Sequence, residues 1–205
     1  MAKPDADLVL FKVLENPTKL NIILLLSRYS RMTVTQMAEH VRVGRPNLYH
    51  FVNEMVKDGL LLGPEAEVKR NYVEKYYRLN RELFESRNET ERKRLLKASS
   101  PSKLNSILRS SLAAFGLELR LIAEEFARAD KKTSGRIAEA VADERIAMSY
   151  SILSGEAYDY VLSEIRKIAK TVEKRWGDEK IVIGGNRMII AMIPNLATDP
   201  SAMAK

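Results

Sequence analysis

The stretch Thr33–Leu62, TVTQMAEHVRVGRPNLYHFVNEMVKDGLLL, constrains the fold of this 205-residue chain more than any other. It contains two short patterns of helical spacing that are separated by R-V-G. Pro46 is tolerated only in the first turn of a helix, so the second helix is predicted to begin near Gly44 or Arg45. Gly59 is expected to end it in the left-handed conformation. The apolar side chains of this helix recur with helical period and are expected to face inward: Leu48, Phe51, Val52, Met55 and Val56.

The residues before this stretch predict two more helices and a short strand. Asp5–Leu14 has helical spacing, and Asn16 followed by Pro17 is a typical start for the apolar helix NPTKLNIILLLSRY. A helix that is apolar around most of its circumference normally lies at the centre of a core. The letters MTV predict a short extended piece, after which Thr35 is expected to cap the helix that contains QMAEHV.

The residues after the stretch predict a β-hairpin. LLLGP and YYRLN have the composition of two strands, and the long charged segment EAEVKRNYVEK between them is expected to be a polar loop. Such a hairpin beside two short helices would form a wing.

A long helix is predicted farther along the chain. A connecting helix with a weak point at Arg87-Asn88 is expected first, and Ser100-Pro101 then starts a new helix that extends to about Lys131. One wide apolar row follows this helix and predicts a partner helix, either in a second subunit or, as the alternative, in the last helix of the same chain. The predicted dimerisation residues are Leu104, Leu108, Leu112, Phe115, Leu119, Ile122 and Phe126.

The last third of the chain predicts a small α+β segment. IAMSYSILS is strand-like, GEAYDYVLSEIRKIAKTVEKRW is an amphipathic helix, and KIVIGGNRMIIAMIPN contains two β-rich runs around a glycine turn. The predicted fold class is therefore mainly α with a small β component. The predicted domains are residues 1–80, a winged helix-turn-helix; 81–132, a helical linker and dimerisation region; and 133–205, a C-terminal α+β domain.

Charge and composition narrow the function. The net charge of +7 favours a polyanionic partner, and the basic excess lies in the first two-thirds: +3 in residues 1–80, +4 in 81–132 and zero in 133–205. The chain has no cysteine and two histidines, so no metal site and no cofactor are predicted. No signal peptide or membrane span is recognisable, which predicts a cytoplasmic protein. Without a nucleophile triad, phosphate loop or supported carboxylate cluster, the chain is not expected to be an enzyme.

The two short helices and the wing together predict contact with double-stranded DNA. In a helix-turn-helix the second helix enters the major groove, where Arg can pair with guanine and Asn with adenine. Thr35 and Gln36 could contact a phosphate, as could Arg42 and Lys57. The predicted groove residues are Arg45, Pro46, Asn47, Tyr49, His50 and Asn53, and the predicted wing-tip contacts are Lys69, Arg70 and Asn71.

The pattern from NPTKLNIILLL through MTVTQMAEHVRVGRPNLYHFVNEMVKDGLLL to VEKYYRLN resembles the winged helix-turn-helix of ArsR-type transcriptional regulators. Met37-Ala38-Glu39 and Gly59-Leu60-Leu61 carry the resemblance, which covers about residues 8–80. The sequence departs at Gly44, where a Ser or Thr cap is common, and at Phe51, where the family often has His. Family members that sense metals use cysteines, so the resemblance does not imply metal sensing here.

The predicted function is thus a homodimeric, sequence-specific DNA-binding transcriptional regulator. Two alternatives remain at this point. A winged-helix adaptor would bind another protein and no DNA. A ligand-responsive regulator would hold an unknown small-molecule effector in the C-terminal half, near Phe115, Tyr158, Trp176 or Met188.

Overall fold

The computed structural model describes residues 6–85, 89–143 and 153–176. The chain forms two compact units, Met1–Asp130 and Lys131–Lys205. The described elements of the first unit are α1 (Ala6–Leu14), α2 (Pro17–Tyr29), β1 (Arg31–Thr33), α3 (Val34–His40), α4 (Arg45–Lys57), β2 (Leu61–Lys69), β3 (Tyr72–Leu79), α5 (Arg81–Glu85), α6 (Glu89–Lys97) and α7 (Pro101–Ala127). Those of the second unit are α8 (Lys131–Ala142) and α9 (Gly155–Trp176).

The predicted fold class, mainly α with a small β component, is confirmed. The three strands form one antiparallel sheet in the order β1-β3-β2, and β2 and β3 form the hairpin wing beside the helix-turn-helix. The predicted helix of the last third is α9. The β-rich runs in KIVIGGNRMIIAMIPN and most of IAMSYSILS lie outside the described residues, as does the weak point at Arg87-Asn88.

The starts of α2 and α7 follow from their capping residues. The side chain of Asn16 accepts hydrogen bonds from the amides of Thr18 at 3.0 Å and Lys19 at 3.1 Å, and Pro17 occupies the first turn. Ser100 caps α7 in the same way, with Pro101 next to it. These bonds satisfy amides that have no partner within the helix, and a cap of this kind contributes about 1 kcal/mol.

Helix α2 is the centre of the first unit. Ile22, Leu25 and Leu26 are at most 1% exposed. They belong to one apolar cluster with side chains from the neighbouring helices and strands: Met37, Leu48, Val52, Met55, Leu60, Leu61 and Tyr77. Burial of an aliphatic side chain contributes about 1.5–3 kcal/mol. The apolar circumference of α2 therefore decides where the helix-turn-helix and the sheet assemble.

The long helix α7 packs against another side of α2. Leu117 and Leu121 are buried there, and the Arg28 side chain, 3% exposed, lies between two carboxylates of α7. Its Nη1 donates to Glu118 at 2.6 Å and its Nε donates to Glu125 at 3.0 Å. Burial alone would lower the pKa of Arg28, but Glu125 and Glu118 raise it by more than burial lowers it. The pKa is therefore above its ordinary value, and the guanidinium stays charged. The helix ends at Ala127, and the predicted end point Lys131 instead begins α8.

The expectation of a long polar loop within the hairpin is wrong. Strand β2 continues to Lys69 and β3 begins at Tyr72, so only Arg70 and Asn71 form the turn. The outer half of the hairpin extends beyond the core: Val68 is 80% exposed and Val73, its partner across the strands, 55%. Because neither face is buried there, the segment lacks the apolar alternation by which strands are recognised.

Replacement of Arg28 by Ala is expected to lower the free energy of unfolding by about 3 kcal/mol, since it removes the buried guanidinium that binds the carboxylates of Glu118 and Glu125. This value is at the lower end of the usual range because Glu125 is half-exposed. Urea denaturation followed by circular dichroism measures it. The matched control is Arg109→Ala on the exposed side of α7, which should change stability by no more than about 0.5 kcal/mol. A loss below about 1 kcal/mol in Arg28→Ala would contradict the assigned role of this ion pair.

Candidate nucleic-acid interface

The first helix of the helix-turn-helix is capped by Thr33, and the prediction that Thr35 caps it is wrong. The Thr33 hydroxyl accepts from the Gln36 amide at 3.2 Å, and the Gln36 side chain accepts from the Thr33 amide at 2.8 Å. This reciprocal pair is a capping box. Strand β1 brings extended backbone up to Thr33, which pairs with Tyr76, so the helix can begin only after that residue. The Gln36 side chain is therefore engaged locally, whereas Thr35 in the first turn is exposed.

The turn between the two helices is short and partly buried. The amide of Val41 donates to the Met37 carbonyl at 3.0 Å, and the Val41 side chain is 4% exposed. The Val43 amide donates to the Val41 carbonyl at 2.7 Å, which closes the turn. Arg42 points into solvent. Of the four predicted phosphate contacts, Thr35, Arg42 and Lys57 are therefore exposed.

Helix α4 begins at Arg45, as predicted, after an N-cap glycine that offers no side-chain bond. Its first turn contains no acidic residue, so the unpaired amides and the positive end of the helix dipole remain available to an anion. Leu48, Val52 and Met55 are completely buried, which confirms the predicted inward side. Phe51, one of the two departures from the ArsR pattern, is half-buried against the same core.

The outward side of α4 is polar and continuous. At 100° per residue, one exposed row runs along the middle of this side, and Arg45 and Asn47 lie on either side of it in the first turn. The exposed row consists of Pro46, Tyr49, His50, Asn53 and Lys57. The structure thus leaves all the predicted groove residues exposed, with Arg45 and Asn47 at the two margins of the row.

The single acidic residue of α4 is neutralised, a feature that sequence reasoning missed. Glu54 lies 2.6 Å from the Nζ atom of Lys19 on α2, whose side chain is 11% exposed. The pair joins residues 35 positions apart, so no local pattern could reveal it. It fixes α4 on α2 and prevents an unpaired carboxylate from repelling phosphates beside the exposed row.

The wing is held to the end of α4 by backbone geometry. Gly59 has φ 75°, and the Leu60 amide donates to the Met55 carbonyl at 2.9 Å, which ends the helix in the predicted left-handed conformation. The Asn80 side chain donates to the Gly59 carbonyl at 2.8 Å, so the last residue after β3 binds the turn before β2. At Gly63, with φ 122°, a Cβ atom would lie 2.7 Å from the Tyr76 carbonyl oxygen, so a larger residue would push the strands apart.

The charge of the wing is nearly balanced. Residues 61–79 carry four basic and three acidic side chains. Glu67 binds Arg31 and lies 3.2 Å from Lys69, and the hydrogen bonds from these two cations lower the pKa of its carboxyl group. The hydrogen bond between Glu67 and Lys69 also raises the pKa of Lys69. Within the described ranges Arg70 has no ion pair, and it occupies the turn with φ 36°. The freest cation at the wing tip is therefore Arg70, and two further exposed side chains there, Tyr72 and Lys75, were not predicted as contacts.

A known protein family matches the segment that contains the helix-turn-helix. Residues 16–61 match the model of the bacterial regulatory protein family arsR. The matched ArsR-type segment begins at the cap of α2 and ends at the first residue of β2, so it contains both helices of the helix-turn-helix but not the wing. The predicted resemblance is confirmed for this segment. An ArsR-type segment supports a DNA-binding transcriptional regulator and points away from an enzyme.

No curated protein matches the chain at a significant level. Among the described helices, none is both long and apolar enough to cross a membrane. The described residues also contain no group of three or more His, Cys, Asp or Glu side chains arranged to hold a metal ion. Of the four positions suggested for an effector pocket, Met188 and the side chain of Trp176 lie outside the described residues.

Proposed function

We propose that the protein is a homodimeric, sequence-specific DNA-binding regulator in which α4 enters the major groove and the wing lies alongside. The observation that carries this proposal is the exposed polar side of α4 within the ArsR-type segment. A recognition helix needs an apolar side to fix it on the core and a polar side that can reach base edges. Helix α4 has both, and Lys19 neutralises its one carboxylate.

The side chains on this surface divide by the contacts they can make. Arg45, Asn47 and Asn53 can donate two parallel hydrogen bonds, or donate and accept, at base edges. Lys57 at the end of α4, Arg42 in the turn and Thr35 on α3 are placed around them and suit phosphate oxygens. Tyr49 and His50 lie between these groups and would contact base edges or sugars.

Separate replacement of Arg45 and Asn47 by Ala is expected to reduce discrimination between cognate and altered sites by about 1–3 kcal/mol for each lost base contact. The affinity for unrelated duplexes should change little, because that affinity depends mainly on phosphate contacts. Fluorescence anisotropy on a duplex selected from a random library, and on single-base variants of it, measures both quantities. Arg109→Ala on α7 is the control and should behave as the wild-type protein.

Unchanged discrimination in both α4 variants would show that these side chains do not read bases. The adaptor alternative makes a different prediction. If the winged helix only binds another protein, the wild-type protein will select no duplex and show no salt-sensitive binding to any DNA.

The wing is expected to contact DNA mainly through Arg70. Arg70→Ala should lower the affinity for all sequences and reduce the slope of log K against log salt by about 0.9. Lys69→Ala should reduce the slope by less, because Glu67 already neutralises this ammonium group. The matched control compares two variants. In Glu67→Gln alone, Lys69 is released from the carboxylate, and in the second variant Glu67→Gln is combined with Lys69→Ala. Equal slopes for Arg70→Ala and the wild-type protein would exclude the wing tip from the interface.

The proposed dimer contact is the apolar row of α7. Leu104, Leu108, Leu112, Phe115, Leu119 and Phe126 are between 36% and 53% exposed, and Ile122 among them is half-buried. Long exposed apolar rows on a helix are typical of an interface rather than of free surface. A second copy is the occupant we propose, because a helix presenting one continuous apolar row can pack on an identical helix, and two-fold DNA sites require a two-fold protein.

Leu108→Glu and Leu119→Glu are each expected to produce monomers, because each places a charge within the proposed apolar contact. Sedimentation velocity measures the association, and circular dichroism should show an unchanged helix content. The control Ala113→Glu adds the same charge on the other side of α7, where the side chain is exposed, and should leave the dimer intact. A wild-type monomer, or a dimer that survives both leucine variants, would contradict this interface.

A further inference from the structure

Helix α7 contacts the helix-turn-helix directly, at the end of α3. The Nη2 atom of Arg120 donates to the backbone carbonyl of His40 at 2.5 Å. His40 is the last residue of α3, and no amide within a helix donates a hydrogen bond to the carbonyl groups of its final turn. A guanidinium is favoured at this position because it also meets the negative end of the helix dipole.

An aromatic contact between α2 and α3 also involves His40. The rings of Tyr29 and His40 are stacked, with centroids 5.9 Å apart and planes 15° from parallel. Arg28, which binds Glu118 of α7, lies over the Tyr29 ring at 5.8 Å from its centroid. Residues on α2, α3 and α7 therefore meet immediately before the turn that leads into α4.

The two arginine side chains differ in exposure. Arg28 is buried between α2 and α7, whereas the Arg120 side chain is 39% exposed. Its other contact, with Glu124 at 3.5 Å, lies on α7 itself. Helix α7 packs on α2, and α3 packs on α4 and the sheet. The bond to His40 thus joins two elements that other contacts hold, which is what an orienting contact requires.

We infer that Arg120 is a positioning residue that sets the orientation of the recognition helix relative to the dimerisation helix. The inference rests on the proposed function, in which the apolar row of α7 joins two subunits on DNA. That row and Arg120 lie on different sides of α7. One rigid helix therefore contacts the partner subunit on one side and the end of α3 on another. The distance and rotation between the two α4 helices, and hence the preferred spacing of two half-sites, would follow from this bond.

The test uses Arg120→Met, which keeps the aliphatic stem and removes the guanidinium. The control is Arg109→Met, also on α7. The probe is a duplex that the full-length wild-type protein selects from a random library, together with two derivatives. One derivative has a single intact half-site, and the other has one base pair inserted between the half-sites.

Arg120→Met is expected to remain a folded dimer and to bind the single half-site within about twofold of the wild-type affinity. Its affinity for the intact two-site duplex should fall about tenfold, because imprecise orientation lowers the effective concentration for the second contact. The inserted base pair should weaken the wild-type protein markedly and the variant much less. Arg120→Lys, which can still donate to the carbonyl, should recover part of the spacing preference.

Three outcomes overturn the inference. If Arg120→Met loses affinity equally for one and two half-sites, the bond supports only the local structure of α3. If its spacing preference equals that of the wild-type protein, the bond does not orient α4. If the wild-type protein selects no duplex, or only single half-sites, the proposed function fails, and the inference fails with it; the wild-type result alone distinguishes this case from the first two.

Discussion

The burial of α2 is the interaction on which the rest of the structure depends. This helix has apolar side chains on most of its surface, and different sides of it contact α1, α4, α7 and the sheet. Close packing around one central helix fixes the mutual positions of elements that are distant in sequence. The proposed recognition helix α4 and the proposed dimerisation helix α7 are therefore oriented by a common partner, and Arg28 and Arg120 add polar contacts beside that packing.

Ion pairs then decide which charged side chains remain available to a polyanionic partner. Lys19 neutralises the one carboxylate of α4, and Glu67 engages both Arg31 and Lys69. The candidate interface therefore differs from the list of basic residues in the sequence: Arg70 remains without an ion pair among the described residues, whereas Lys69 does not. A basic net charge favours association with a polyanion in general, but the local pairs decide where that attraction acts.

Much of the fold could be predicted because its signals are local. Asn16-Pro17 and Ser100-Pro101 start helices through bonds within one turn, and the inward side of α4 follows from helical period. The errors arose where tertiary context changed a local preference. Thr35 is as good a capping residue as Thr33, but the pairing of β1 with β3 extends the backbone up to Thr33. The outer half of the wing has no buried face, so the charged sequence there does not show the apolar alternation of strands, although β2 and β3 pair along it.

The sequence by itself determined the helix-turn-helix, the position of its turn and the polar side of α4, because spacing and capping act over a few residues. It also determined the apolar row of α7, which is visible as periodicity alone. Only the tertiary structure decided which charges are neutralised and which elements α7 contacts. The pair of Lys19 with Glu54 spans 35 positions and the bond of Arg120 to His40 spans 80. Such contacts depend on the packing of α4 and α7 around α2, and no local pattern encodes them.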